Sequence, residues 1–83
     1  MTATGAEIEV DARGLLCPLP VLRLRKRLLA AEAGQVVRLL ATDPAAAIDV
    51  PHFCAESGHE LLDSAPLAGG GTAWRVRAGP RRA

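Results

Sequence analysis

The stretch GLLCPLP, residues 14–20, marks the point where the hydrophobic pattern of the chain changes. Before it, Ile8, Val10 and Ala12 alternate with acidic residues, a period of two that is typical of a strand with one face toward solvent. After it, leucine and valine recur at the spacing of an amphipathic helix. The stretch therefore predicts a strand that ends near Gly14 and a helix that begins at the prolines, with Cys17 between the two elements.

Length and composition predict one domain. The chain has 83 residues, of which 49% are hydrophobic and 23% charged, and its formal net charge is +1. This is enough for a single hydrophobic core. We expect one domain over residues 1–83, with an ordered core at about 7–78 and loose termini. The aromatic residues are Phe53 and Trp74, so the side chains that stack on bases are scarce.

The cysteine count indicates the compartment. Two cysteines are too few for a disulfide framework. The sequence shows neither a signal peptide nor an apolar run long enough to span a bilayer. We therefore expect a cytoplasmic protein with no membrane partner, whose thiols stay reduced.

The remaining elements follow from periodicity and from the residues that interrupt it. The predicted elements are a helix over residues 18–32 stopped by Gly34, a strand over 36–41, a helix from Asp49 to Gly58, and strands over 59–64 and 72–78. Asp49 is expected to cap the second helix, with Pro51 in its first turn. The glycine run 69–71 predicts the turn between the last two strands.

This order, βαβαββ, predicts an α+β fold. Each helix has a single apolar face, which favours packing of both helices on the same side of the sheet. We expect a two-layer α/β sandwich in which two helices cover one face of a mixed four-stranded sheet.

The prolines around Cys17 predict a stiff helix entry. With Cys17 as the N-cap, Pro18 takes the first helical position and Pro20 the third, where a missing N–H costs nothing. The free N–H groups of Leu19 and Val21 would then point toward the sulfur. A cysteine gains nothing as a cap in itself, because capping favours Ser, Thr, Asp or Asn.

The groups expected near Cys17 are positively charged. A helix N-terminus carries about half an elementary charge, which favours the nucleophilic thiolate. Arg13, Arg23 and Lys26 could act in the same direction. Arg25 falls within the apolar arc of the helix, where it either forms part of a docking patch or covers apolar surface with its stem.

Other reactive residues give weaker signals. The chain has no Cys-x-x-Cys pair, and no placed His-Asp pair suggests a cysteine hydrolase. Cys54 lies beside Phe53 within the second helix and is expected in the core, with a secondary redox role as the alternative. His52, His59 and the cysteines match no zinc template, so we expect no metal. Asp11 and Asp43 are expected to end strands or cap turns.

The runs DARGLLCPLPVLRLRKRL, residues 11–28, and ATDPAAAIDVPHFCAESGHELL, residues 41–62, resemble the TusA/SirA-like sulfur carrier proteins. The resemblance covers roughly residues 8–78, and its most specific part is the Cys-Pro-x-Pro signature. It implies the same βαβαββ fold and a persulfide held on Cys17, with no other cofactor. The sulfur would come from a cysteine desulfurase or rhodanese and pass to an acceptor protein. Family routes include tRNA thiolation, molybdenum cofactor supply and sulfur oxidation.

Three alternatives stay open at this stage. The strongest is a non-catalytic redox-regulatory or protein-interaction module, in which Cys17 is a switch or inert. Selenium handling is the second. The third, direct tRNA binding, is not expected, because a net charge of +1 barely supports it and aromatic residues are scarce beside the basic cluster of Arg75, Arg77, Arg81 and Arg82. We favour a carrier, related to sulfurtransferases, over an enzyme that turns over fully by itself.

Overall fold

The structure, a computed structural model, describes residues 7–80. The elements are β1 (Ile8–Ala12), α1 (Leu19–Leu29), β2 (Val36–Ala41), α2 (Ala46–Ser57), β3 (Glu60–Pro66) and β4 (Thr72–Arg77). Their order confirms the predicted βαβαββ sequence. The expected loose start at residues 1–6 and the last part of the predicted frayed tail lie outside the described residues. The extent of the single domain stays a prediction.

The four strands form one mixed sheet in the order β1-β2-β4-β3. β1 and β2 are parallel, while β4 pairs antiparallel with both β2 and β3. The parallel pair needs a crossover, which α1 supplies. Because α1 follows β1 and α2 follows β2, both helices begin at the edge of the sheet where the parallel strands end. That edge holds Cys17.

The core lies between the helices and one face of the sheet. Leu24 of α1 and Val50 of α2 are fully buried against Val37, Leu39 and Val76 of the central strands. The strand residues alternate, so that β1 presents acidic residues to the opposite side. This confirms the predicted α+β sandwich with both helices on one face.

Both helices differ from their predicted bounds. α1 ends at Leu29, because the N–H groups of Ala30 and Ala31 bond three residues back and tighten the last turn. The prediction that Gly34 stops this helix is wrong. Gly34 instead forms the turn into β2, where its N–H donates to the Ala78 carbonyl over 2.8 Å.

The predicted cap of the second helix is also wrong. α2 begins at Ala46, so Asp49 lies in its first turn and Pro51 inside it. The helix starts earlier because Asp43 accepts the N–H of Ala45 on its side chain and that of Ala46 on its carbonyl. Gly58 ends α2 as predicted, with a left-handed φ of 78° that glycine adopts at little cost.

Ion pairs cover the open face of the sheet. They are Arg38–Glu9 at 2.8 Å, Arg75–Glu7 at 2.8 Å, Arg75–Asp63 at 2.6 Å and Arg77–Glu60 at 2.9 Å. Arg75 and Arg77 therefore pair with acids within the sheet instead of forming a bare basic surface. Arg81 and Arg82, the rest of the predicted basic cluster, lie outside the described residues.

Candidate functional site

Cys17 lies in the loop between β1 and α1, exposed to solvent. The prediction that it is the N-cap is wrong by one residue, because Pro18 holds that position and Leu19 is the first helical residue. Pro20 is buried in the second helical position. The N–H of Leu19 is not free either, since it donates to the Leu16 carbonyl over 2.9 Å. The Cys17–Pro18 peptide bond is cis.

Two residues that follow β2 hold the Cys17 loop from the side. The Gly14 N–H donates to Thr42 Oγ1 over 2.9 Å, and the Cys17 N–H donates to Asp43 Oδ2 over 2.6 Å. The other oxygen of Asp43 accepts from the Ala45 N–H over 3.1 Å. These donors, that of Ala45 first and that of Cys17 next, hold the pKa of Asp43 below its ordinary value. One ionised carboxylate thus connects the Cys17 loop to the start of α2, in the turn-capping role expected of Asp43.

A second carboxylate contacts the sulfur itself. The Cys17 thiol donates a hydrogen bond to Asp49 Oδ2 over 3.0 Å. This bond, with partial desolvation and the negative charges of Asp49 and Asp43, raises the pKa of the thiol. The prediction that the surroundings favour the thiolate is therefore wrong. Two full negative charges next to the sulfur outweigh the partial charge of a helix end.

The cations predicted to support Cys17 are engaged or placed elsewhere. Arg13 donates to both carboxylate oxygens of Asp11 over 2.9 Å, which lowers the pKa of Asp11 to about 2. Lys26 is exposed in the last turn of α1. Within residues 7–80, no hydrogen bond or ion pair joins Lys26 or Arg23 to Cys17.

Arg25 lies toward the other end of the helices. It lines an open cavity of about 290 Å³ whose walls include Leu28, Phe53 and His59. These residues belong to the C-terminal parts of α1 and α2 or follow α2, whereas Cys17 precedes the first turn of α1. Arg25 therefore belongs to a different surface from the thiol, and its predicted place in the Cys17 site is not supported.

Exposed apolar side chains surround the loop. Leu16 is 71% exposed and Ile48 75%, and Leu19 and Leu22 are about half exposed. Leu16 and Leu19 flank the Cys17–Pro18 pair, while Ile48 directly precedes Asp49. Val21 is half-buried and packs against the core. The thiol is thus set in an apolar surface that a folded partner can cover.

Cys54 and the histidines lie away from this surface. Cys54 is 3% exposed and part of the core, as predicted. Burial raises the pKa of its thiol to about 11. His52 is exposed on α2, and His59 directly precedes β3, where its Nδ1 accepts the Gly79 N–H over 2.9 Å.

Residues 7–80 contain neither a cluster of metal-ligating side chains nor a membrane-spanning helix. No three His, Cys, Asp or Glu side chains in this range are grouped so that they could hold a metal ion. The same range contains no helix of the length and apolar character that crossing a membrane requires.

Sequence reasoning missed Thr42 and Asp49 as site residues and gave Asp43 only a local role. All three lie in the second run that carried the family resemblance, residues 41–62. This run resembles the family together with the run that contains the cysteine signature. That joint resemblance could have indicated that the two segments meet in the fold. The residues follow β2 or open α2, at the edge where parallel strands place their following loops together.

Comparisons with known proteins identify the family of the chain and support its fold. The sequence model of the family described as Sulfurtransferase TusA matches residues 8–78. The sulfur carrier protein TusA of Pseudomonas entomophila is 44% identical over 69 residues, which are 83% of this chain and 86% of that protein. Its counterpart in Allochromatium vinosum is 48% identical over 56 residues, 68% of this chain and 74% of that protein. A SirA-like protein from Desulfitobacterium hafniense, known from a crystal structure, superposes with a TM-score of 0.76 at 29% identity, covering 87% of this chain and 97% of that one.

Proposed function

The chain belongs to the TusA family, of which the relatives from Pseudomonas entomophila and Allochromatium vinosum are named sulfur carrier proteins, and we propose that it carries sulfane sulfur as a persulfide on Cys17. The resemblance read from the sequence is confirmed at the level of the family. The persulfide, its donor and its acceptor are our proposal.

The observation that carries the proposal is the contrast in access between the two cysteines. Cys17 is exposed in a loop that backbone hydrogen bonds to Thr42 and Asp43 hold in place, while Cys54 is buried in the core. A carrier needs one thiol that a donor and an acceptor protein can reach in turn. It also needs no second thiol nearby, because a neighbouring thiol would discharge the persulfide into an internal disulfide.

The proposed loading step exchanges one sulfur atom. Cys17 Sγ attacks the terminal sulfur of a donor persulfide, and a new S–S bond forms as the S–S bond within the donor breaks. The electron pair leaves with the donor sulfur, which is protonated to a thiol. The sulfane sulfur has moved without net oxidation or reduction, and the carrier needs no resident cofactor. Delivery to an acceptor thiol is the same exchange in reverse.

The exposed apolar residues around the thiol suit transient docking. We propose a cysteine desulfurase or rhodanese as the donor and a sulfur-accepting protein as the next partner. Each would bury Leu16, Leu19 and Ile48 while the sulfur moves. The acceptor decides whether the sulfur goes to tRNA thiolation, molybdenum cofactor supply or sulfur oxidation. A cytoplasmic location fits the proposal, because an empty carrier must return to the reduced thiol.

Intact-protein mass spectrometry tests this function. The reduced protein is incubated with a cysteine desulfurase and cysteine, or with a rhodanese and thiosulfate. We expect a mass gain of one sulfur atom that a reductant removes. Cys17→Ser should not load, whereas Cys54→Ala should load like the original chain.

Two results would contradict the proposal. Sulfur retained in Cys17→Ser and absent in Cys54→Ala would place the carrier thiol at Cys54. No loading of any variant from either donor, with partner binding kept in Cys17→Ser, would favour the interaction module.

A further inference from the structure

We propose that Asp49 is the proton acceptor for Cys17 during loading: it takes the thiol proton as Sγ attacks the donor persulfide and returns it to the departing donor sulfur. This inference rests on the proposed function and adds a second catalytic residue to it. The residue comes from α2, which follows a different strand from the one that leads to Cys17.

The geometry singles out Asp49 from the two carboxylates at the site. Each oxygen of Asp43 already accepts a backbone N–H, one from Cys17 and one from Ala45. Asp49 Oδ2 instead accepts the thiol hydrogen directly, at 3.0 Å from Sγ. Proton transfer needs donor and acceptor within hydrogen-bond reach, and only the Asp49 contact places a carboxylate oxygen on the reacting sulfur.

Attack by Cys17 needs such an acceptor. The thiolate is the nucleophile, but the hydrogen bond to Asp49 and the nearby negative charges raise the pKa of this thiol. At neutral pH the empty carrier is therefore a protonated thiol. Its proton must leave while the S–S bond forms, since the sulfur loses its basicity as it becomes part of a persulfide.

Among residues 7–80, the charged groups that face the sulfur include no other acceptor of this kind. Asp49 contributes from α2 and Asp43 from the segment after β2. On the side of β1, the guanidinium of Arg13 is held by Asp11. On the side of α1, the first turn contains no acidic residue.

The proton balance closes within the step. The hydrogen moves from Sγ to Asp49 Oδ2 as the new S–S bond forms. The donor sulfur departs with the electron pair of the broken S–S bond and takes that hydrogen from Asp49. Asp49 ends ionised, as it began, and the loaded Sγ has no hydrogen left to donate.

The same carboxylate then acts differently on the loaded state. A persulfide is more acidic than a thiol and is an anion at neutral pH. Asp49 and the terminal sulfur of the persulfide then carry like charges, which disfavours a close approach between them. The hydrogen bond that holds the empty thiol to Asp49 is therefore absent from the loaded carrier.

The test compares two reactions of the full chain, loading from glutathione persulfide and alkylation by iodoacetamide, both at neutral pH. Glutathione persulfide needs no protein docking surface, so its rate reports on the chemistry alone. The variants are Asp49→Asn, Asp49→Glu and, as the matched control on the same helix, Glu56→Gln. The unfolding midpoint, followed by Trp74 fluorescence, shows whether each variant is folded.

We expect the two reactions of Asp49→Asn to change in opposite directions. Alkylation should become several-fold faster, because removal of the negative charge lowers the pKa of the thiol and increases the thiolate fraction. Loading should become at least about tenfold slower, because the departing donor sulfur loses the proton that Asp49 returns to it, and general acid–base catalysis typically contributes ~10²–10⁴-fold. Iodide leaves without a proton, so alkylation depends on the thiolate fraction and does not show this loss. Asp49→Glu should recover part of the loading rate, and Glu56→Gln should match the original chain in both reactions.

Two results would overturn the role of Asp49, and a third would reject the proposed function. Loading of Asp49→Asn at an unchanged or higher rate would overturn the inference and leave Asp49 as a group that only slows the thiol. Slower loading with unchanged or slower alkylation would also overturn it, because the thiol and Asp49 would not interact in solution. Failure of the original chain to load from any persulfide would instead reject the proposed function.

Discussion

The two cysteines of this chain both have a raised thiol pKa, but they differ in their exposure to solvent and in the cause of the raised pKa. Both thiols have a pKa above the ordinary value of 9.0. For Cys17 the main cause is a hydrogen bond to Asp49 on the surface of the molecule. For Cys54 it is burial alone, which raises the pKa to about 11.

The difference shows that a raised thiol pKa does not by itself identify a working cysteine. The Cys54 thiol is almost fully buried, and burial is what raises its pKa, so this pKa reflects only the core around it. Cys17 has an exposed sulfur and a carboxylate in contact with its hydrogen. α2 contributes to both cysteine environments: Asp49 on one side of this helix contacts Cys17, and Cys54 lies on its buried side.

The largest expected effect is a difference in alkylation rate between the two thiols of the native chain. Iodoacetamide should modify Cys17 first, and Cys54 about a thousandfold or more slowly, because Cys54 reacts only when the core opens. Mass spectrometry of peptides after timed quenching measures both rates in one sample.

A control in denaturant sharpens this comparison. In unfolded protein both cysteines should react at similar rates, since neither Asp49 nor the core then acts on them. Similar rates at both cysteines in the native chain would mean that the core around Cys54 opens readily, and the distinction between the residues would be lost.

The next effect concerns stability. Cys54→Ser should lower the free energy of unfolding by about 1–3 kcal/mol, because a hydroxyl replaces a thiol in an apolar site. Cys17→Ser should leave it nearly unchanged, since a serine hydroxyl in the exposed loop can still donate to Asp49. Urea denaturation followed by the fluorescence of Trp74, the single tryptophan, measures both variants. An equal loss in the two variants would contradict the assignment of only Cys54 to the core.

The fold was predictable because its signals are local. The alternation of Ile8, Val10 and Ala12 and the stripe through Leu24 and Leu28 each lie within one element, and burial enforces both patterns. Helix ends were less predictable. The sequence predicted Asp49 as the cap because it precedes an apolar run. In the structure Asp43 accepts the N–H groups of Ala45 and Ala46, so α2 begins three residues earlier.

The electrostatics of the site could not be read from the sequence. The groups that control Cys17 are separated from it by 26 residues at Asp43 and 32 at Asp49, and no periodicity links them. The nearest cation in the sequence, Arg13, was expected to act on the thiol. It pairs with Asp11, two residues away, because that contact needs no long-range packing.

A smaller effect is expected in alkaline solution. Because the pKa of Cys54 is higher in the folded chain than in the unfolded one, the folded chain holds this proton more tightly. The resulting stability is fully present below pH 9 and is lost as the pH rises through about 11. Urea midpoints across this range should fall more steeply for the original chain than for Cys54→Ala. Cys17 acts in the same direction, but its exposure to solvent makes its part smaller. Parallel curves for the two proteins would contradict the burial of Cys54 as the cause.

The smallest effect concerns the support of the Cys17 loop by Asp43. Asp43→Ala removes the acceptor of the Cys17 and Ala45 N–H groups, and we expect the midpoint of thermal unfolding to fall by about 3–6 °C. It also removes one of the two negative charges near the sulfur, so Cys17 should alkylate slightly faster, by less than in Asp49→Asn.

The pKa of Asp43 is lowered in the folded chain, so the stabilisation by its carboxylate is present above the ordinary value of 3.8 and is lost as the pH falls below it. The difference between Asp43→Ala and the original chain should therefore shrink in acid. If it stayed constant down to acidic pH, the carboxylate of Asp43 would not be what holds the loop, and the Cys17 site would depend on Thr42 and Asp49 alone.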